Sequence, residues 1–193
     1  MNQNTKIIDL RFGVISMIIL LAALSRFIPH PPNFAPIGGM ALFGAAYYSK
    51  RYLAFAIPIV FMWISDLILN NVVYGQQFEH FVWFYSGSVF TYGAFALIVF
   101  FGIFALKKVR VSNLVASALG ASIIFFIVSN FGVWFSGTMY PKDFGGLMAC
   151  YAAGIPFFHN TLAGDLIYSV VMFGAFELST KKIPQLKLTP AVE

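Results

Sequence analysis

Long apolar runs separated by brief polar interruptions fill the chain from residue 12 to residue 178. The runs at 12–27, 35–48, 52–70, 84–106, 113–135 and 157–178 read as six helices written for a bilayer. A crossing takes roughly 20 mostly apolar residues. The second run is shorter and carries Gly38, Gly39 and Gly44 among alanines, which predicts a tilted or partly re-entrant helix buried among its neighbours. The first run follows a charged segment and ends in small residues, the outline of a secretory signal. In a chain with five further apolar runs it reads as a retained first helix.

The chain has 193 residues, is 60% hydrophobic and only 10% charged, and has a mean hydropathy of +0.82, which places it outside the range of soluble domains. An all-α membrane protein follows, a six-transmembrane-helix bundle forming one integral domain over 1–193. No soluble module is expected beside it within these residues.

Charge sets the expected orientation. With the N-terminus in the cytoplasm, Lys6, Arg11, Lys50, Arg51, Lys107, Lys108, Arg110, Lys181, Lys182 and Lys187 fall on the cytoplasmic side, and only Arg26 and Lys142 fall outside. The even number of spans puts the C-terminus in the cytoplasm as well. The net charge of +5 is split into small groups with no basic face or binding motif, so nucleic acid is not an expected partner. The lipid bilayer is. A single cysteine, Cys150, rules out an intramolecular disulfide framework.

The connections differ in character by side. The inner ones, YSKRY and KKVRVS, are short and basic; the outer ones, RFIPHPPNFAP, NNVVYGQQFEHF and SGTMYPKDFGGLMACYAAGIPFF, are longer and chemically richer. Binding chemistry concentrates in such loops. The third contains Gly137, Pro141, Gly145, Gly146, Gly154 and Pro156 together with large apolar side chains, and reads as a structured lid over an outward-facing pocket.

The polar residues of the spans favour the same side. A mid-helix Asp costs roughly 2.5–3.5 kcal/mol on insertion scales, so Asp66 and Asp165 are expected to face the bundle interior and a partner. Arg26, at the outer end of the first helix, is the natural counter-charge for one of them. Helical spacing puts Asp66 with Asn70, Asn130 with Trp134, and Thr161 with Asp165 on shared faces. Tyr140, Tyr151, His159 and Asn160 complete the expected substrate-binding set: Arg26, Asp66, Asn70, Asn130, Trp134, Tyr140, Tyr151, His159, Asn160 and Asp165. Trp63, Trp83, Trp134, Tyr74, Tyr85, Tyr140 and Tyr151 all suit an interfacial aromatic belt, and Tyr140 and Tyr151 equally suit the walls of a ligand pocket.

Other readings stand beside this one. The Arg26–Asp66–Asp165 group also suits a purely architectural network in a non-transporting protein. The paired aspartates, Asp165 within AGD, bear a partial likeness to intramembrane aspartyl proteases. Thiolate and imidazole suit transition metals, making Cys150, His159 and His80 the metal candidates. No catalytic residue and no resident cofactor are assigned, and the expected class is not an enzyme.

The helix count, the short basic inner loops and the long outer loops before helices two, four and six resemble the membrane-embedded S-components of energy-coupling-factor vitamin transporters. The stretches NFAPIGGMALFGAAYY, SNFGVWFSGTMYP and GLMACYAAGIPFFHNTLAGDLIYSVVMFGAFE, about a third of the chain, resemble more closely a family of uncharacterised bacterial membrane proteins associated with that group. The resemblance implies a multi-pass protein of the bacterial cytoplasmic membrane that captures a small vitamin-like micronutrient from outside, in a pocket under the loop between helices five and six. In that group an ATP-hydrolysing module docks on helix one through AxxxA, which FGVISMIILLAALSRF lacks; the clearest small-residue pairs here are Ala35 with Gly39 and Ala41 with Ala45. A solitary transporter, including one for cobalamin or another metal-containing ligand, is therefore the alternative within the resemblance.

Overall fold

The computed structural model describes residues 3–186, and every described element is helical: α1 (Gln3–Leu24), α2 (Ile37–Tyr47), α3 (Arg51–Ile68), α4 (Ser88–Ala105), α5 (Val111–Ser136) and α6 (Phe144–Lys182). All except α2 are long and apolar enough to cross a membrane, so the chain is a multi-pass membrane protein. Its surface carries large apolar side chains such as Met17, Leu21, Phe100, Ile127 and Val171, the reverse of a soluble bundle but suited to lipid.

The core forms around α2. Nine of its eleven residues are buried, and α3, α4, α5 and α6 all pack against it. At 1.5 Å per residue it is about 16 Å long, well short of the roughly 30 Å hydrocarbon thickness. A central helix touching protein on all sides needs neither a spanning length nor a polar face, which is why the second apolar run is short and uniformly small or apolar. Phe43, Phe95, Ile98, Met40 and Leu42 fill the space around it.

The helices alternate in direction, so the connections sort to two ends. Lys50, Arg51, Lys107, Lys108, Arg110, Lys181 and Lys182 lie at the ends joined by the 48–50 and 106–110 connections, here called the basic end; Lys187 lies outside the described residues. The opposite end carries the connections 28–36, 74–87 and 137–143.

The basic end is closed. Arg11 of α1 is buried and donates to the backbone oxygens of Leu186 and, at 3.1 Å, Tyr47. Its guanidinium lies 5.1 Å from the Phe176 ring centroid. The Tyr47 hydroxyl donates to Glu177 Oε1 at 2.7 Å. The rings of Phe43, Tyr47, Phe173 and Phe176 stack edge-on and tilted between these groups.

The third outer connection is a correction to the sequence reading. The sixth helix begins at Phe144, not near residue 157, so most of the expected lid is helix, and Cys150 and Tyr151 lie within it. Asp143 caps it, its Oδ1 accepting the Gly146 amide at 2.7 Å. Packing on α5 then carries the helix past Gly154 and Pro156. At the same rise per residue the helix is about 58 Å long.

Candidate functional site

Polar side chains from several helices meet around a cavity of about 260 Å³ at the end opposite the basic one. Its wall is assembled from Arg26 of the short turn after α1 and the 28–36 connection, the far end of α3, Tyr74 and Tyr85 of the 74–87 connection, Thr91 of α4, Phe125 of α5, and Thr161 and Asp165 of α6.

Arg26 sits in a short 3-10 turn, Ser25–Phe27, that carries α1 over the end of α3. Its Nη2 lies 2.6 Å from Asp66 Oδ1, and Nη1 donates to the Ser65 hydroxyl and, at 3.4 Å, to the Met62 carbonyl. The Tyr92 hydroxyl donates to the other oxygen of Asp66 at 2.6 Å. Both members are largely buried, with side-chain exposures of 14% and 6%. A buried pair whose remaining hydrogen-bonding sites are also filled is held in one geometry.

Asp165 is arranged differently. It is 1% exposed, and no cation stands within salt-bridge distance of it among the described residues. Its Oδ1 accepts the Gly38 amide at 2.9 Å and its Oδ2 accepts the Ser122 hydroxyl at 2.6 Å. Gly38 is the second residue of α2, so a carboxylate on α6 satisfies an otherwise orphan donor and faces the positive end of α2. The contact requires glycine, because a Cβ at position 38 would fall on the Asp165 carboxylate. Ser169, one turn further along α6, is buried without a hydrogen-bond partner.

Two side chains fasten the connections that close the cavity. Asn160 donates to the Pro32 carbonyl at 2.9 Å, holding the 28–36 segment on α6. Asn71 exchanges two hydrogen bonds with the backbone of Val82, at 2.9 and 2.7 Å, and so pins the 74–87 segment to the end of α3. Within the first segment Asn33 lies on the cavity wall with φ of 63°, in the left-handed region that asparagine tolerates and β-branched residues do not. Asn33→Val is therefore expected to cost about 1–2 kcal/mol in thermal unfolding. Asn33→Gly should change little; equal effects of the two would show that the backbone here is unconstrained.

The expected set thus divides. Arg26 and Asp165 line the cavity, Asp66 is joined to it through Arg26, and Asn160 braces its rim. Asn70 does not line it: α3 ends in a π-helical turn, Leu69–Val73, and the pinning contact is made by Asn71. Asn130 turns back to the Phe126 carbonyl and packs on Gly154 of α6. Trp134 donates to the Pro141 carbonyl and Tyr151 to the Ile127 carbonyl, so both serve the α5–α6 hairpin. Tyr140 lies in the hairpin turn, outside the cavity lining. Lys142 donates to the carbonyls of Trp134, Phe135 and Gly137, closing the C-terminal end of α5. No residue between 137 and 158 lines the cavity, so its cover comes from the first two connections and not from the α5–α6 segment.

Gly38, Asn71, Ser122 and Tyr92 were not among the expected residues. A serine in an apolar helix and a glycine at a helix start carry no charge signal, and only their three-dimensional partner reveals them.

The three metal candidates are apart. Cys150 is buried with its thiol toward the Asn130 carbonyl at 3.4 Å, His159 is exposed on α6, and His80 is exposed in the 74–87 connection. Among the described residues no group of three or more His, Cys, Asp or Glu is placed to hold an ion. Asp66 and Asp165 each have their own partners and do not hydrogen-bond to one another, whereas an aspartyl dyad shares a proton.

In comparison with known proteins, residues 6–186 fit the model of a family of unknown function, DUF6580. The chain belongs to this family. No curated protein and no solved structure matches it.

Proposed function

We propose that this chain is a membrane transport protein that captures a small vitamin-like micronutrient from the outer side, in the manner of an energy-coupling-factor S-component. The observation that carries the reading is the cavity itself, about 260 Å³ in volume and lined by Arg26, Thr161 and Asp165 between apolar and aromatic walls. Ligand sites are mostly apolar concavities with a few placed polar groups. An intramembrane ionisable residue is by default a functional one. The pocket lies beneath the 28–36 and 74–87 connections. The positive-inside bias supports a cytoplasmic basic end and a cavity on the outer side, and the location proposed with it is the bacterial cytoplasmic membrane. The bare first helix supports a solitary carrier at least as well as one docked on an ATP-hydrolysing module.

The test is native mass spectrometry of protein purified in mild detergent. A co-purified small molecule is expected on the wild type and absent from Thr161→Phe, which fills the cavity with a ring while gel filtration still shows a folded bundle. An adduct that survives on Thr161→Phe at wild-type occupancy, or a wild type that carries no small molecule when purified from its native membrane, would overturn the reading. A visible absorption spectrum on the adduct would favour a corrinoid or other metal-containing ligand.

A further inference from the structure

The two buried carboxylates beside the cavity are built for opposite purposes. Asp66 faces the Arg26 guanidinium and receives the Tyr92 hydroxyl, so a proton on it would strand a buried cation. Asp165 faces no cation. The elements packed on it bring no charge of their own: α2 and α5 contain no Asp, Glu, Lys, Arg or His, and Tyr47, the titratable residue of α2, lies at the other end of that helix. On its own helix Thr161 and Tyr168 are uncharged, and Tyr168 is engaged with Ser25. Across the cavity stand Arg26, already paired, His30, Tyr74 and Tyr85.

The contacts of Asp165 fit both of its protonation states. Ionised, it accepts the Gly38 amide on Oδ1 and the Ser122 hydroxyl on Oδ2, facing the positive end of α2. Ser122 Oγ also lies 3.1 Å from the Ala118 carbonyl. When a proton arrives on Oδ2, that O–H donates to Ser122 Oγ, the serine hydrogen rotates to the Ala118 oxygen, and the Gly38 amide keeps its acceptor on Oδ1. No donor or acceptor is stranded in either state, so neither carries the penalty of an unmade buried hydrogen bond. Asp165 lines the cavity, so a proton that enters the cavity meets the carboxyl directly.

From this we propose that Asp165 is a reversible proton-binding site, switched through Ser122 and loaded through the cavity. The proposal concerns the carboxyl alone and holds whatever molecule the cavity captures.

Infrared difference spectroscopy of the purified protein, between acidic and alkaline buffers that leave it folded, tests this with the proton as the only probe. Expected is a protonated-carboxyl C=O band that appears at low pH, vanishes at high pH, shifts in D2O, and is lost in Asp165→Asn. Asparagine preserves the contacts of the protonated form, accepting from Gly38 and donating to Ser122, so this variant should remain folded. In Ser122→Ala the band should persist at a moved frequency, because the acid O–H has lost its acceptor. A band of full intensity in Asp165→Asn, no difference between Asp165→Asn and wild type at any pH, or an Asp165 band unmoved by Ser122→Ala would overturn the proposal. None of these results depends on the native mass spectrometry, so the proton site and the capture reading can fail separately.

Discussion

Replacing Arg26 by methionine is expected to destabilise the bundle by about 3–5 kcal/mol, the range for removing one partner of a buried ion pair. Asp66 would keep only the Tyr92 hydroxyl and would hold its charge in an apolar surrounding. Asp66→Asn should destabilise comparably, leaving the guanidinium with Ser65 and the Met62 carbonyl. The double variant Arg26→Met, Asp66→Asn should recover much of the loss, because no uncompensated charge remains. Thermal unfolding of all four proteins in one detergent closes the cycle. Additive effects, each below about 1 kcal/mol, would mark the pair as a solvent-screened surface contact and deny the burial described here.

Gly38→Val is expected to cost upwards of about 3 kcal/mol and to show as loss of monodisperse protein. Overpacking and the displacement of a buried hydrogen-bonded carboxylate act together there. The added side chain meets Asp165 on one side, while the helix it belongs to is enclosed by the other five and has nowhere to retreat. Adding Asp165→Ala to Gly38→Val should restore part of the yield by removing the obstacle. Gly13→Ala is the control: nothing lies within 4 Å of a Cβ at that position, so the exposed helix interior should gain about 0.5–1 kcal/mol. Normal stability of Gly38→Val would mean that α2 and α6 do not cross as closely as described.

Hydropathy made the long helices legible because spanning a bilayer imposes length and composition together. The run 113–135 lies inside Val111–Ser136, and 52–70 overlaps Arg51–Ile68 and its π-helical turn. The start of α6 was hidden for a different reason. Gly145, Gly146, Gly154 and Pro156 are turn formers in isolation, and only the Asp143 cap and the surface of α5 hold them helical.

At the site, charge was the readable signal. Arg26 and Asp66 find each other because an apolar chain has few other ways to accommodate either. The asparagine was misread by one position: successive helical residues point about 100° apart, so face assignments extrapolated from Asp66 fail where the turn widens at Leu69. Asn130, Trp134 and Tyr151 share the polarity of site residues but are spent on backbone carbonyls of the hairpin. Sequence spacing cannot distinguish those two uses.

One helix grips another at both extremities. Asp165 of α6 holds the first turn of α2 through Gly38, and Glu177 of the same helix holds its last residue through Tyr47. Twelve positions of α6, about 18 Å of continuous helix, therefore span from the rim of one chamber to the aromatic seal of the other end. Sliding or turning that rod would disturb both grips in a single motion, so neither end of α2 can shift against α6 without straining the contact at the other.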